Sequence, residues 1–210
     1  MGNRVAARQP DLGPLSLPPA DLGTRTLPTI AVERTWYRFH SCARTSIFFN
    51  RQDVNRFNAP SGEYGTVYLG RDPACCFVET FGRLDSAMST TVRSVSRTQL
   101  LDACLSEIIQ TRQLHLVDLT GPGLRRLDAD SRLFAGEHPV ARQWGLALWG
   151  HPSQPDGILF PARHDPSCAS AALFDRAQDA VRAGPPRSLG ALPNAELGAI
   201  LDRYDFSLRP

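Results

Sequence analysis

The chain has no lysine. All 23 of its basic residues are arginine, which excludes every chemistry that needs a lysine: a pyridoxal or aldolase Schiff base, a Walker-type phosphate loop, a kinase-type ATP lysine. It also lacks an excess of either charge. With 21 acidic residues the formal net charge is +2, so no global field draws it to nucleic acid or an anionic membrane, and neither partner is expected. Arg125-Arg126 and the scattered arginines have no interleaved aromatics at regular spacing, which argues against a nucleic-acid groove. No apolar run approaches the roughly 18 residues of a membrane span. The opening MGNRVAARQPDLG lacks the apolar core of a secretion signal, and a cytoplasmic protein is expected. Cysteine is sparse: Cys42, the adjacent Cys75 and Cys76, Cys104 and Cys168 are odd in number. They suit neither a disulfide framework nor zinc spacing, so reduced thiols are expected. The five histidines, His40, His115, His138, His151 and His164, form no i, i+4 pair, and no metal site is expected.

What is present suffices for one core: 42% apolar residues over 210 positions can bury a single domain. Residues 1–29 carry Pro10, Pro14, Pro18, Pro19 and Pro28 without helical or strand periodicity. A flexible leader or a surface strap is expected there, with the folded domain over 30–210. From Arg34 the pattern changes, and Thr35–His40 is rich in strand formers, followed by the apolar run Ile47–Phe49. The loop 60–65, with Gly62 and Gly65, leads into a strand over Thr66–Gly70.

Asp72-Pro73 is an N-cap with proline at the first helical position, so a helix is expected from Pro73 to about Leu84. Ala74, Phe77, Val78 and Phe81 form its buried stripe, which leaves Glu79 off the stripe beside Cys75, Cys76 and Arg83. A strand is expected over Thr91–Arg97. An amphipathic helix is expected over Thr98–Gln110, on the spacing of Leu100, Leu101, Cys104, Leu105 and Ile108. Further strands are expected at Leu114–Leu119, Ile158–Phe160 and Ala171–Phe174, and helices at Leu124–Leu127, Pro139–Trp149 and Asn194–Tyr204. Short strands mixed with helices, without internal repeats, indicate one compact α+β domain with a central mixed or antiparallel sheet and flanking helices.

Several segments in fixed order carry a family likeness: Tyr37-Arg38, Arg56-Phe57-Asn58-Ala59-Pro60, Gly65-Thr66-Val67-Tyr68-Leu69 and Glu79. It continues through Leu116–Gly121, Gln143-Trp144 and Asp156–Phe160. Together they resemble the RES-domain family, over roughly residues 34–176. The resemblance implies an ADP-ribosyltransferase-like fold and a toxin of a toxin–antitoxin pair, with a cognate antitoxin as partner. It implies an enzyme that takes NAD as its substrate and cleaves the nicotinamide–ribose bond as a glycohydrolase, or as a phosphorylase with inorganic phosphate as co-substrate. The nearest alternatives are mono-ADP-ribosylation of a protein target and a catalytically silent interaction module. Carried over residue by residue, it implies Glu79, Tyr68 and Arg56 as catalytic residues and Arg38, Arg56 and Tyr68 as the NAD-binding set. One departure stands out: Phe160-Pro161-Ala162-Arg163 places alanine where the family often has serine, with Ser167 and Ser170 nearby.

The chemistry suits these residue types. Breaking the bond from ribose to nicotinamide develops positive charge on the ribose, which a carboxylate such as Glu79 stabilises. Nicotinamide leaves neutral, so no strong general acid is required. The planar forks of Arg38 and Arg56 match pyrophosphate oxygens, and the Tyr68 ring can stack on nicotinamide. A competing reading gives Cys75 or Cys76 a lowered thiol pKa near a helix N-terminus and a nucleophilic role; the alternative is that both are buried small apolar side chains.

Overall fold

The computed structural model describes residues 15–82 and 93–210. Arg83, Leu84, Thr91 and Val92, on which sequence expectations fall, lie outside them, as do residues 1–14. In chain order the elements are β1 (Thr29–Val32), β2 (Trp36–Ser41), β3 (Thr66–Gly70), α1 (Pro73–Phe81), β4 (Arg93–Ser96), α2 (Arg97–Asp102), β5 (Ala103–Gln110) and β6 (Leu114–Asp118). They continue with α3 (Gly123–Arg126), α4 (Arg132–Ala135), α5 (His138–Trp149), β7 (Gly157–Pro161), β8 (Ala169–Phe174), β9 (Val181–Ala183), β10 (Arg187–Ser188), α6 (Asn194–Arg203) and β11 (Phe206–Arg209). None of these helices is long and apolar enough to cross a membrane.

One mixed sheet runs β1-β6-β7-β8-β3-β2-β5-β10, with β9 also on β5. Its pairs are antiparallel except β6–β7. β4 and β11 form a separate parallel pair. Side chains alternate across the sheet: Ile158, Phe160, Ala172 and Phe174 enter one core with Trp144, Ala141 and Leu148 of α5, while Leu159, Ala171 and Leu173 enter a second with Trp36 and Ile108. Burial on both faces explains why β7 and β8 read as nearly continuous apolar runs. A third core joins α1, through Phe77 and Phe81, to Leu105 of β5, Ile200 and Leu201 of α6, and Phe206.

The expected helix over Thr98–Gln110 is corrected by this topology. Ser96 and Gln99 form a complete capping box, but the helix ends at Asp102 and the chain continues as β5. That strand pairs with β2 over Trp36–Ser41 on one side and with β9 and β10 on the other. Leu105 serves one core and Ile108 another. A strand buried on both faces loses its period-two signature, so its apolar spacing also fits a helix.

Of the two readings of the leader, a flexible segment or a surface strap, residues 15–28 follow the second and lie against the domain. Leu22 and Leu27 are buried in the α5 core, Trp144 Nε1 donates to Ser16 O at 2.9 Å, and Asp118 N donates to Pro28 O at 2.7 Å. Prolines removed the periodicity, yet single leucines still found a core. The cysteines are not all reduced. Cys42 and Cys104 form a disulfide with Cα atoms 4.9 Å apart, while Cys75, Cys76 and Cys168 are free and buried. The β2–β5 register sets Ser41 against Ala103 and His40 against Cys104, which brings together two thiols 62 positions apart.

The turn between β7 and β8 is clamped through Asp165. Its carboxylate accepts from Ser167 Oγ at 2.5 Å, from Tyr204 Oη at 2.9 Å and from Arg203 Nη2 at 3.3 Å. Arg203 also lies 3.6 Å from Asp72. The Ser167 hydroxyl, with those of Tyr204 and the Cys168 thiol behind it, holds the Asp165 carboxyl well below the ordinary carboxylate value. The clamp therefore joins the end of α6 to the turn and, through Asp72, to the start of α1.

Leu27→Ala is expected to destabilise the fold by about 2–4 kcal/mol, as for other buried leucines, and deletion of residues 1–28 to lower the melting temperature further; a truncated protein with unchanged Tm would show that the strap is dispensable. Asp165→Asn should lower Tm by roughly 2–6 °C at neutral pH. Because the folded-state pKa is depressed, this contribution is complete above the unfolded value and declines as pH falls below about 4. Melting curves of the two proteins should therefore converge in acid and run parallel from about pH 5 to 8.

Candidate functional site

β2 and β3 meet at one register pair only, Tyr37↔Gly70. Against this junction lies a cavity of about 470 Å³ lined from both strands, the loop 42–65, α1 and the β7–β8 turn. Arg38, Arg56, Tyr68 and Glu79, the four residues singled out from sequence, all line it.

Each is placed by local rules. Asp72 Oδ1 accepts from Cys75 N at 2.7 Å and Pro73 starts the helix, as the cap motif requires. Gly70 lets α1 close on β3: a Cβ there would lie 2.5 Å from Cys76 Sγ. The stripe Ala74, Phe77, Val78 and Phe81 is buried, so Glu79 turns to the cavity. There its Oε1 accepts from the His164 backbone N–H at 3.0 Å, and the clamped turn thus fixes the carboxylate by one oxygen.

Tyr68 projects from β3, and its hydroxyl accepts from Phe57 N at 2.7 Å. Its ring meets Phe160 edge-on at 6.5 Å. The bond to Phe57 also orients the neighbouring Arg56, which is only 8% exposed and donates from Nη1 to Gly136 O at 2.6 Å. The loop 55–64 can approach α5 because residue 145 is glycine: a Cβ there would lie 2.6 Å from Tyr64 Oη and 3.0 Å from Phe57 O. Arg38, on β2, donates from Nη1 to Ser46 O at 2.5 Å, and burial pushes its guanidinium pKa down.

Sequence reasoning missed other parts of the wall. Arg44 and Arg163 bring the arginines lining the cavity to four, whereas Glu79 is the single carboxylate among its described lining residues. Arg163 follows Ala162 directly and was legible as part of that motif; Arg44 lies in an irregular loop with no local signal. Ala162 itself is fully buried beside Cys75 and Cys168. Ser167 gives its hydroxyl to Asp165, whereas Ser170 lines the cavity, so the serine available here is Ser170. Cys75 and Cys76 also border the cavity, but burial pushes the Cys75 thiol up and that of Cys76 up to about 12. The neutral thiol, not a nucleophilic thiolate, is the form at physiological pH.

Electrostatically the cavity combines a surplus of arginine with one fixed carboxylate and aromatic surface. Guanidinium forks hold phosphate oxygens bidentately, and a lone carboxylate in such surroundings stabilises a developing cation. Among the described residues, no group of three or more His, Cys, Asp or Glu side chains is placed to hold a metal ion.

Comparison with known proteins places the chain in a family. The chain is 34% identical over 113 residues to the probable toxin y4kH of Sinorhizobium fredii (strain NBRC 101917 / NGR234), an alignment covering 52% of this chain and 84% of that protein. Its fold matches a chain in the crystal structure of the MbcT–MbcA toxin–antitoxin complex of M. tuberculosis. The TM-score is 0.64 at 19% identity, covering 82% of this chain and 91% of that one, so the two share a fold, which in this chain is the single α+β domain with a central mixed sheet expected from sequence. The RES domain model matches residues 35–194, a span that includes every one of the four cavity residues singled out from sequence, and the chain belongs to the RES domain family.

Proposed function

We propose that this protein is an NAD-consuming enzyme that cleaves the nicotinamide–ribose bond, with water or inorganic phosphate as acceptor. The observation that carries this reading is the pairing, in one cavity, of Glu79, the single carboxylate among the described lining residues, with Arg38, Arg44, Arg56 and Arg163 and the ring of Tyr68. NAD asks for those groups: a doubly charged pyrophosphate for the guanidinium forks, a ribose that becomes cationic, and a flat aromatic leaving group.

In this reading Arg38 and Arg56 hold the pyrophosphate and Tyr68 packs against the nicotinamide. The C1′–N bond breaks with its electron pair passing to the nicotinamide ring, which leaves neutral. Glu79, oriented by the His164 amide, stabilises the oxocarbenium-like ribose until the acceptor attacks C1′; with water the acceptor's proton is released to solvent. The likeness to a protein named as a probable toxin, and to a chain of a toxin–antitoxin complex, supports a cytoplasmic toxin role with a cognate antitoxin.

Incubating the purified protein with NAD and following free nicotinamide, with and without phosphate, tests the reading. ADP-ribose recovered on protein would assign a protein acceptor. Intact NAD after prolonged incubation would reduce the site to a binding module. Glu79→Gln keeps the shape but removes the charge, so turnover should fall by roughly two to four orders of magnitude, with NAD affinity and Tm little changed; wild-type turnover would remove Glu79 from the mechanism. Arg56→Lys keeps the charge but loses the fork, and should weaken NAD binding about tenfold or more in calorimetric titration.

A further inference from the structure

Arg38 is a half-buried cation with an unusual anchor. Among the described residues no carboxylate pairs with it, and its guanidinium donates to a neutral acceptor, the carbonyl of Ser46 at 2.5 Å. Ser46 belongs to the irregular loop 42–65, so the position of Arg38 is only as well defined as that carbonyl. The loop is held here from the sheet. Ser106 on β5, fully buried, is the register partner of Arg38 and lies on the same face. Its Oγ is 2.9 Å from Ser46 Oγ and 2.9 Å from His40 Nε2. His40, two residues beyond Arg38 and therefore also on that face, has Nδ1 2.9 Å from the Ser41 carbonyl. A carbonyl can only accept, so Nδ1 carries the proton and Nε2 of the neutral ring accepts from Ser106. The imidazole is kept neutral by burial, with Arg38 adding to the effect.

We infer that Ser106 and His40 are positioning residues for substrate binding, which fix the Ser46 carbonyl and through it the direction of Arg38. The inference rests on the NAD reading of the cavity and adds two residues outside its lining. A buried hydroxyl with two partners costs free energy to remove because both partners are left unpaired. The loss falls on the loop that orients Arg38, and so on affinity, while Glu79 stays tied to the separate 163–168 turn.

NAD binding by calorimetry, together with kcat and KM, is to be measured for the wild type, Ser106→Ala, His40→Ala, His40→Gln, Arg38→Ala and the double variant Arg38→Ala/Ser106→Ala. Ser106→Ala and His40→Ala should each raise Kd and KM about five- to tenfold, with kcat changed less than about twofold. His40→Gln offers an amide oxygen as acceptor to Ser106 and should recover most of the affinity. With Arg38 already absent, Ser106→Ala should cost little more, because its effect passes through Arg38. Additive losses in the double variant, or equal losses in kcat and affinity, would overturn the inference and leave Ser106 a core residue. Should Ser106→Ala fail to fold, His40→Ala carries the same comparison without emptying a core position. Wild-type protein that binds no NAD would overturn the function and this inference together; wild-type binding with an additive cycle overturns the inference alone.

Discussion

Between β3 and α1 there is no room for a side chain at position 70, where a Cβ would stand 2.5 Å from Cys76 Sγ. That close approach is the constraint from which the site follows. It draws the capped start of α1 onto the sheet at the one point where β2 and β3 still pair. The apolar stripe of the helix then enters the third core, and the position left over, Glu79, is presented to the cavity. A side chain at 70 would have to move the buried Cys76 thiol and would press on the Cys76 backbone nitrogen, 3.2 Å away, at the start of α1.

The same economy governs charge. A chain whose only cations are arginines can line a cavity with planar forks that remain charged when partly desolvated, which ammonium groups do less well. Of the four lining the cavity, Arg44 and Arg163 stay exposed, whereas Arg56 is buried and Arg38 half-buried, and backbone carbonyls anchor these two: Gly136 for Arg56 and Ser46 for Arg38. A neutral carbonyl orients a guanidinium without cancelling its charge.

Stability and site are linked through the 163–168 turn. Asp165 collects donors from Ser167, Tyr204 and Arg203, while the neighbouring His164 amide meets Glu79. The end of α6 thus supports the carboxylate from outside the cavity. The strap 15–28 supports the site through another core, where Leu22 and Leu27 pack beneath α5 with Phe160 of the cavity wall, α5 being the helix whose Gly145 admits the Arg56 loop.

Much was legible from local chemistry. The Asp-Pro cap determined where α1 begins, its periodicity determined which face is buried and hence that Glu79 is off it, and the strand Thr66–Gly70 was bounded correctly by its glycines. The absence of lysine and the near-neutral charge determined which chemistries were open. The likeness to the RES-domain family picked out Arg38, Arg56 and Tyr68, and all line the cavity. What only the tertiary structure decided depends on pairing between distant segments. β5 reads as helix or strand until β2 lies beside it, because burial on both faces erases the alternation that separates the two. The Cys42–Cys104 bond, the entry of Arg44 and Arg163 into the cavity, the choice of Ser170 over Ser167 and the column Arg38–Ser106–His40 all follow from register and loop closure. Those are set by contacts between residues tens of positions apart, for which a local pattern carries no signal.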